Sequence, residues 1–141
     1  MSLTHTTIGI RQIGRKRAIL AIVAAAFLAN ALYMLADPLG WYGAVAGVPD
    51  TGPFNPHFVR DIGVAYLTLA LATAAAARWL GHALPLLAVV TLYLGLHALL
   101  HLWDVAAGRL EPDHLLIDAP GVFLPVLVVA LLTWWVRNDC A

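Results

Sequence analysis

The stretch ALPLLAVVTLYLGLHALLHLWDV, residues 83–105, is as long as the run of about 20 helical residues that crosses a hydrocarbon core of roughly 30 Å. Yet it carries His97, His101 and Asp104 towards its end. Backbone in lipid has no outside hydrogen-bond partner, so such a segment must be a helix. Three further stretches resemble it. The first, about 18–36, has Asn30 as its one strongly polar residue and ends at Asp37-Pro38. The second, about 62–80, is rich in Ala and Leu and precedes Gly81. The last, about 119–136, contains Pro120 and Pro125, and Asp118 is placed to cap it.

Composition agrees with four spans. Of 141 residues, 62% are hydrophobic and 11% charged, against about 45–50% and 25% in soluble domains. The 8 basic and 8 acidic side chains could not cover so apolar a globule, and they leave no basic excess for nucleic acid. Disorder and a disulfide scaffold are excluded as well, the single cysteine being Cys140. One lone thiol also excludes a thiol relay within the chain. The length is that of one domain, residues 1–141.

Lys and Arg set the orientation. Arg11, Arg15, Lys16, Arg17, Arg78 and Arg137 fall on one flank, while Arg60 and Arg109 share the other with Asp37, Asp50, Asp61, Asp104, Glu111, Asp113 and Asp118. Both termini are therefore expected in the cytoplasm and the protein in the cytoplasmic (inner) membrane. Trp41 and Trp103 fall at the outer interface and Trp79, Trp134 and Trp135 at the inner one, as an aromatic belt requires. A basic tail before an apolar run also fits a cleaved signal peptide, but the run is long and no secreted domain follows it. The expected fold is an all-α antiparallel four-helix membrane bundle. Its long first loop, 37–60, is extracytoplasmic, dense in Gly and Pro, and able to fold back as a lid. The small residues of its spans suit close packing in lipid, and its size favours a homo-oligomer or a larger membrane complex.

Polar chemistry converges on the outer flank. His97, His101 and Asp104 stand at i, i+4 and i+7, within about 60° on one helical face, and Tyr93 lies a turn deeper. Asn30, Tyr33 and Asp37 form a second stripe, while His57, Arg60 and Asp61 open the second span and Asp118 the fourth. An ionisable group in a span is costly unless paired or hydrated, which points to a site. Its expected ligand-binding residues are His97, His101, Asp104, Asp61, Arg60, Tyr93 and Asn30. Each also has a structural reading: Arg60 and Asp61 as an ion pair or cap, His101 and Asp104 as interfacial partners, Asn30 and Tyr33 as interhelical hydrogen bonds. Asp113 and His114 lie in a loop and are expected to be solvated, and His5 and His82 to be surface groups.

Two imidazoles and a carboxylate on one face suit a divalent transition metal, with His97, His101 and Asp104 as ligands and His57 and Asp118 completing the shell. HxxxH lacks the glutamate of a zinc-protease helix. Haem is disfavoured because no second span carries a histidine to oppose His97 or His101. A proton relay has no polar continuation towards the cytoplasm.

The blocks GPFNPHFVRDIGVAYLTLALA (52–72) and GLHALLHLWD (95–104) resemble small bacterial four-helix membrane proteins, DoxX-like in size and topology. That resemblance covers the second and third helices and implies a four-helix bundle, with no reaction attached. Three functions remain open. The leading one is binding of a metal ion or small polar ligand at the outer cluster. The others are an accessory subunit of a larger membrane complex, and an enzyme acting on a lipid-soluble substrate, with His97 or His101 as base and Asp104 orienting it.

Overall fold

The computed structural model describes residues 3–138, with side chains from residue 12 onward. The side chains of His5, Arg11 and Cys140, singled out in the sequence, lie outside the described residues. The elements in chain order are α1 (Leu3–Ala36), α2 (Pro38–Ala44), a 3₁₀ turn (Val48–Thr51), α3 (Pro56–Arg78), a second 3₁₀ turn (Leu80–His82), α4 (Ala83–Ala106), α5 (His114–Ile117), a π-helical turn (Ala119–Phe123) and α6 (Leu124–Arg137). No strand occurs among the described residues.

Among the described residues four segments are long and apolar enough to cross a membrane: Gln12–Ala36, Pro56–Arg78, Leu80–Ala106 and Ala119–Arg137. The second helix starts well before the apolar run at 62–80. Asn55 accepts hydrogen bonds from the His57 and Phe58 amides at 3.0 and 3.2 Å, and Pro56 takes the first helical position, which needs no donor. Pro125 has the opposite effect inside the fourth segment. Its ring cannot donate to a carbonyl a turn back, and the helix widens just ahead of it, where the Leu124 amide bonds the Ala119 carbonyl five residues earlier.

Buried residues recur at alternating spacings of three and four: Leu20, Ala24, Phe27, Ala31 and Met34 on α1, and Val59, Gly63, Tyr66, Ala70, Thr73 and Ala77 on α3. That spacing keeps one seam of each helix against its neighbour. The α1–α3 pair is the most extensive contact; α4 packs on α3, and α6 on α4. Outside the seams the helices carry exposed Ile22, Leu71, Val89 and Leu131, each more than half accessible. Such a surface suits acyl chains and not water.

Packing, not apolarity, must hold helices together in lipid. Gly63 is a point of close approach between α3 and α1, since a Cβ there would stand 3.0 Å from Met34 Cβ and 3.2 Å from Leu35 Cγ. On α4 a Cβ at Gly95 would meet nothing within 4 Å. Gly63→Leu is therefore expected to destabilise the fold by about 1–3 kcal/mol, whereas Gly95→Ala should be neutral or mildly stabilising. Unfolding curves of both variants in mixed detergent micelles check this; equal losses would mean that α1 and α3 do not meet at Gly63.

Candidate functional site

The structure gives His101 a partner from another segment. Its Nδ1 lies 2.7 Å from Asp118 Oδ2, with only 17% and 9% of the two side chains exposed. Two acceptors do not approach so closely, so a proton sits between them. With that proton on Nδ1, Nε2 of the neutral ring is left as the acceptor. Asp118 does not cap the fourth helix as its position suggests. It has right-handed helical backbone (φ −78°, ψ −13°) and no capping hydrogen bond, because α5 already brings the chain into helical geometry before it. The carboxylate is released to meet α4.

Below this pair the rings form a ladder along α4 and across to α3. His97 meets His101 edge to face, with centroids 4.7 Å apart, and is nearly parallel to Tyr93 at 6.3 Å. Tyr93 meets Tyr66 of α3 at 6.5 Å, and Tyr66 meets Phe27 of α1 at 6.1 Å. His97 is half-buried, and among the described residues no hydrogen bond engages its ring nitrogens. Tyr66 is the member that sequence reading missed. No other ring lies within a turn of it on its helix, and only its buried place in the seam of α3 would have pointed to it.

The other expected residues go elsewhere. Asp104, although on the same helical stripe, accepts a hydrogen bond from Arg109 at 2.9 Å, formed where the chain turns back after α4, with Arg109 exposed and Asp104 half-buried. Asp61 faces His57 at 3.4 Å on the exposed side of α3, and Arg60 Nε reaches the Leu35 carbonyl at 3.5 Å. Asn30 accepts from the Trp41 indole at 2.9 Å, which fastens α2 to α1, and Asp37 caps α2 through the Gly40 amide. Tyr33 is exposed. Among the described residues no three His, Cys, Asp or Glu side chains are grouped to hold a metal ion. His97, His101 and Asp118 stay together, while Asp104, Asp61 and His57 do not join them.

His114 departs from expectation. It is buried, not solvated, with Nε2 3.4 Å from Asp50 Oδ2 of the first loop and Nδ1 without a hydrogen-bond partner among the described residues. The cause is Gly47, whose φ of +83° favours glycine. A Cβ there would press on Ile117 Cγ2 at 2.9 Å and on the His114 ring at 3.4 Å. The first loop thus packs over α5. Thr91 and Thr133 tie α4 to α6 on the other side of the ladder at 2.9 Å, each also within 2.7 Å of its own i−4 carbonyl.

In comparisons with protein-family models, curated proteins and solved structures, the chain showed no match. The geometry alone carries the functional reading.

Removing one partner of a buried pair strands the other. Asp118→Ala is expected to lower stability by about 3 kcal/mol, and Asp104→Ala by at most about 1 kcal/mol, as for other exposed pairs. A double-mutant cycle of His101→Ala and Asp118→Ala, read by unfolding in micelles, should give a coupling of roughly 1–3 kcal/mol; a value near zero would mean that the two side chains do not meet.

Proposed function

We propose that the protein is a multi-pass protein of the cytoplasmic membrane, an antiparallel four-helix bundle with both termini in the cytoplasm. Its outer half binds a small polar ligand at His97, His101 and Asp118. The asymmetry of basic residues supports the orientation, and the likeness in size and topology to DoxX-like bundles accords with the arrangement without supplying a reaction.

One observation carries the binding reading. Asp118 is committed to His101, while His97, one turn deeper and half-buried, has no hydrogen-bond partner for its ring nitrogens among the described residues. A half-buried imidazole with an unused donor and acceptor is unfavourable in lipid unless something polar meets it. The His101 Nε2 edge supplies a second acceptor. A molecule with both a donor and an acceptor, small enough to lie between α4 and the start of α6, suits that pair of rings. For a transition metal, Asp118 is already engaged by His101, and among the described residues no three His, Cys, Asp or Glu side chains are grouped to hold one.

The same dyad favours one second reading. A histidine oriented by a buried aspartate is the arrangement of a general base, and His101, held by Asp118, could take a proton from a lipid-soluble substrate through Nε2. Asp118 replaces Asp104 in the orienting role.

Native mass spectrometry of protein extracted in mild detergent separates these readings. The wild type is expected to retain one small non-lipid molecule that His97→Leu loses and His57→Gln keeps. If wild type and His97→Leu carry the same masses, the binding reading fails. Elemental analysis of the same sample should find no stoichiometric transition metal; one zinc, copper or iron per chain, lost in His97→Leu, would make the ligand a metal.

A further inference from the structure

The opposite flank holds a second arrangement that the outer site does not use. Where α1 and α6 approach each other at the basic end, Ile19 of α1 and Val128, Leu131, Leu132, Trp134 and Trp135 of α6 line an open apolar groove of about 370 Å³. Ligand sites occupy about 300–1,000 Å³. The groove runs along segments long enough to cross a membrane, so its apolar walls meet acyl chains.

Cations stand at its head. Lys16 is buried, with Nζ 3.3 Å from the Trp135 carbonyl and 4.8 Å from the Trp135 ring. It thereby satisfies one of the last carbonyls of α6, which no residue of that helix can reach. Arg15 lies over the same ring at 5.1 Å, is exposed, and stands one turn above Ile19 on the groove side of α1. Arg137 is exposed one turn beyond Trp134. Within Gln12–Ala36 and Leu124–Arg137 there is no Asp or Glu; on this flank the sequence holds only Asp139, outside the described residues. Two exposed arginines over an apolar groove at membrane depth are complementary to a single class of molecule: an anion that carries hydrocarbon.

We propose that this groove is a binding site for one anionic phospholipid. An acyl chain lies along Ile19, Val128, Leu131 and Leu132, and the phosphate lies between Arg15 and Arg137 at the level of the two tryptophans. Basic pockets between membrane helices recognise lipid headgroups in this manner, by charge at the interface and fit below it. The site is independent of the His97–His101–Asp118 cluster at the other end of the helices.

The test uses the full chain in nanodiscs of equal parts phosphatidylcholine and phosphatidylglycerol, followed by native mass spectrometry of the lipid that stays bound. One phosphatidylglycerol per chain is expected to be retained in preference to phosphatidylcholine. Arg15→Gln and Arg137→Gln should each weaken that preference about fivefold, and Arg15→Lys should largely restore it. Both substitutions are at exposed positions, and helicity measured by circular dichroism confirms that the fold persists. Filling the groove with Ile19→Trp should reduce retention of either lipid. Equal retention of the two lipids by the wild type would overturn the proposal, as would a preference unchanged in both glutamine variants. A lipid-free dimer cross-linked through Leu131→Cys would also overturn it, by giving the groove to a second copy of the chain.

Discussion

Lipid offers no hydrogen bonds, so a polar side chain in a span must find its partner inside the protein. Most of the internal contacts of this chain follow from that. Thr68 and Thr73 return their hydroxyls to the carbonyl one turn back, and Thr91 and Thr133 divide two hydroxyl protons between their own carbonyls and each other. Asn30 uses Trp41. His101 has no comparable local solution: its imidazole is too large to fold onto its own backbone, and its helix offers only Asp104, which the turn after α4 gives to Arg109. The chain meets the need by returning through α5 and presenting Asp118. The widened turn at Ala119–Phe123 then carries it from that contact into α6. One buried pair thus ties together α4, α5 and the start of α6.

The two flanks are chemically opposite. One holds the acidic groups, the His97–His101–Asp118 cluster and the first loop, packed on His114 through Gly47. The other holds exposed arginines, tryptophans and an apolar groove. On the first flank His101, Asp118 and His114 are drawn inward and paired, while His57 and Asp61 stay exposed. On the second the polar groups stay at the rim, apart from Lys16, whose long aliphatic stem lets its ammonium cross from α1 to the end of α6.

The spans were legible because a hydrocarbon layer imposes a length and a polarity that a single sequence displays directly. The pairing of His97 with His101 was legible for a related reason: residues four apart on a helix are neighbours whatever the tertiary fold. The rest of the cluster depends on what lies opposite, and periodicity says nothing about that. Asp104 and Asp118 are the same residue type, each near the end of a span, and only the path of residues 107–117 assigns one to Arg109 and the other to His101. Tyr66 reaches the ladder through the register of α3 on α4. His114 looked like a loop residue because its burial depends on Gly47, distant in sequence and recognisable only as one of many turn formers. The early start of α3 is legible in Asn55-Pro56, an N-cap followed by a first-turn proline, which lies outside the apolar run.

That Asp118 holds the Nδ1 proton of His101 is open to measurement by solid-state ¹⁵N spectra of histidine-labelled protein in lipid bilayers. The expected spectrum has a His101 signal with Nδ1 protonated, shifting when Asp118 is replaced by Asn while His57 is unaffected. A His101 protonated on Nε2 alone, or one indifferent to the Asp118→Asn change, would refute the pairing on which the site is built.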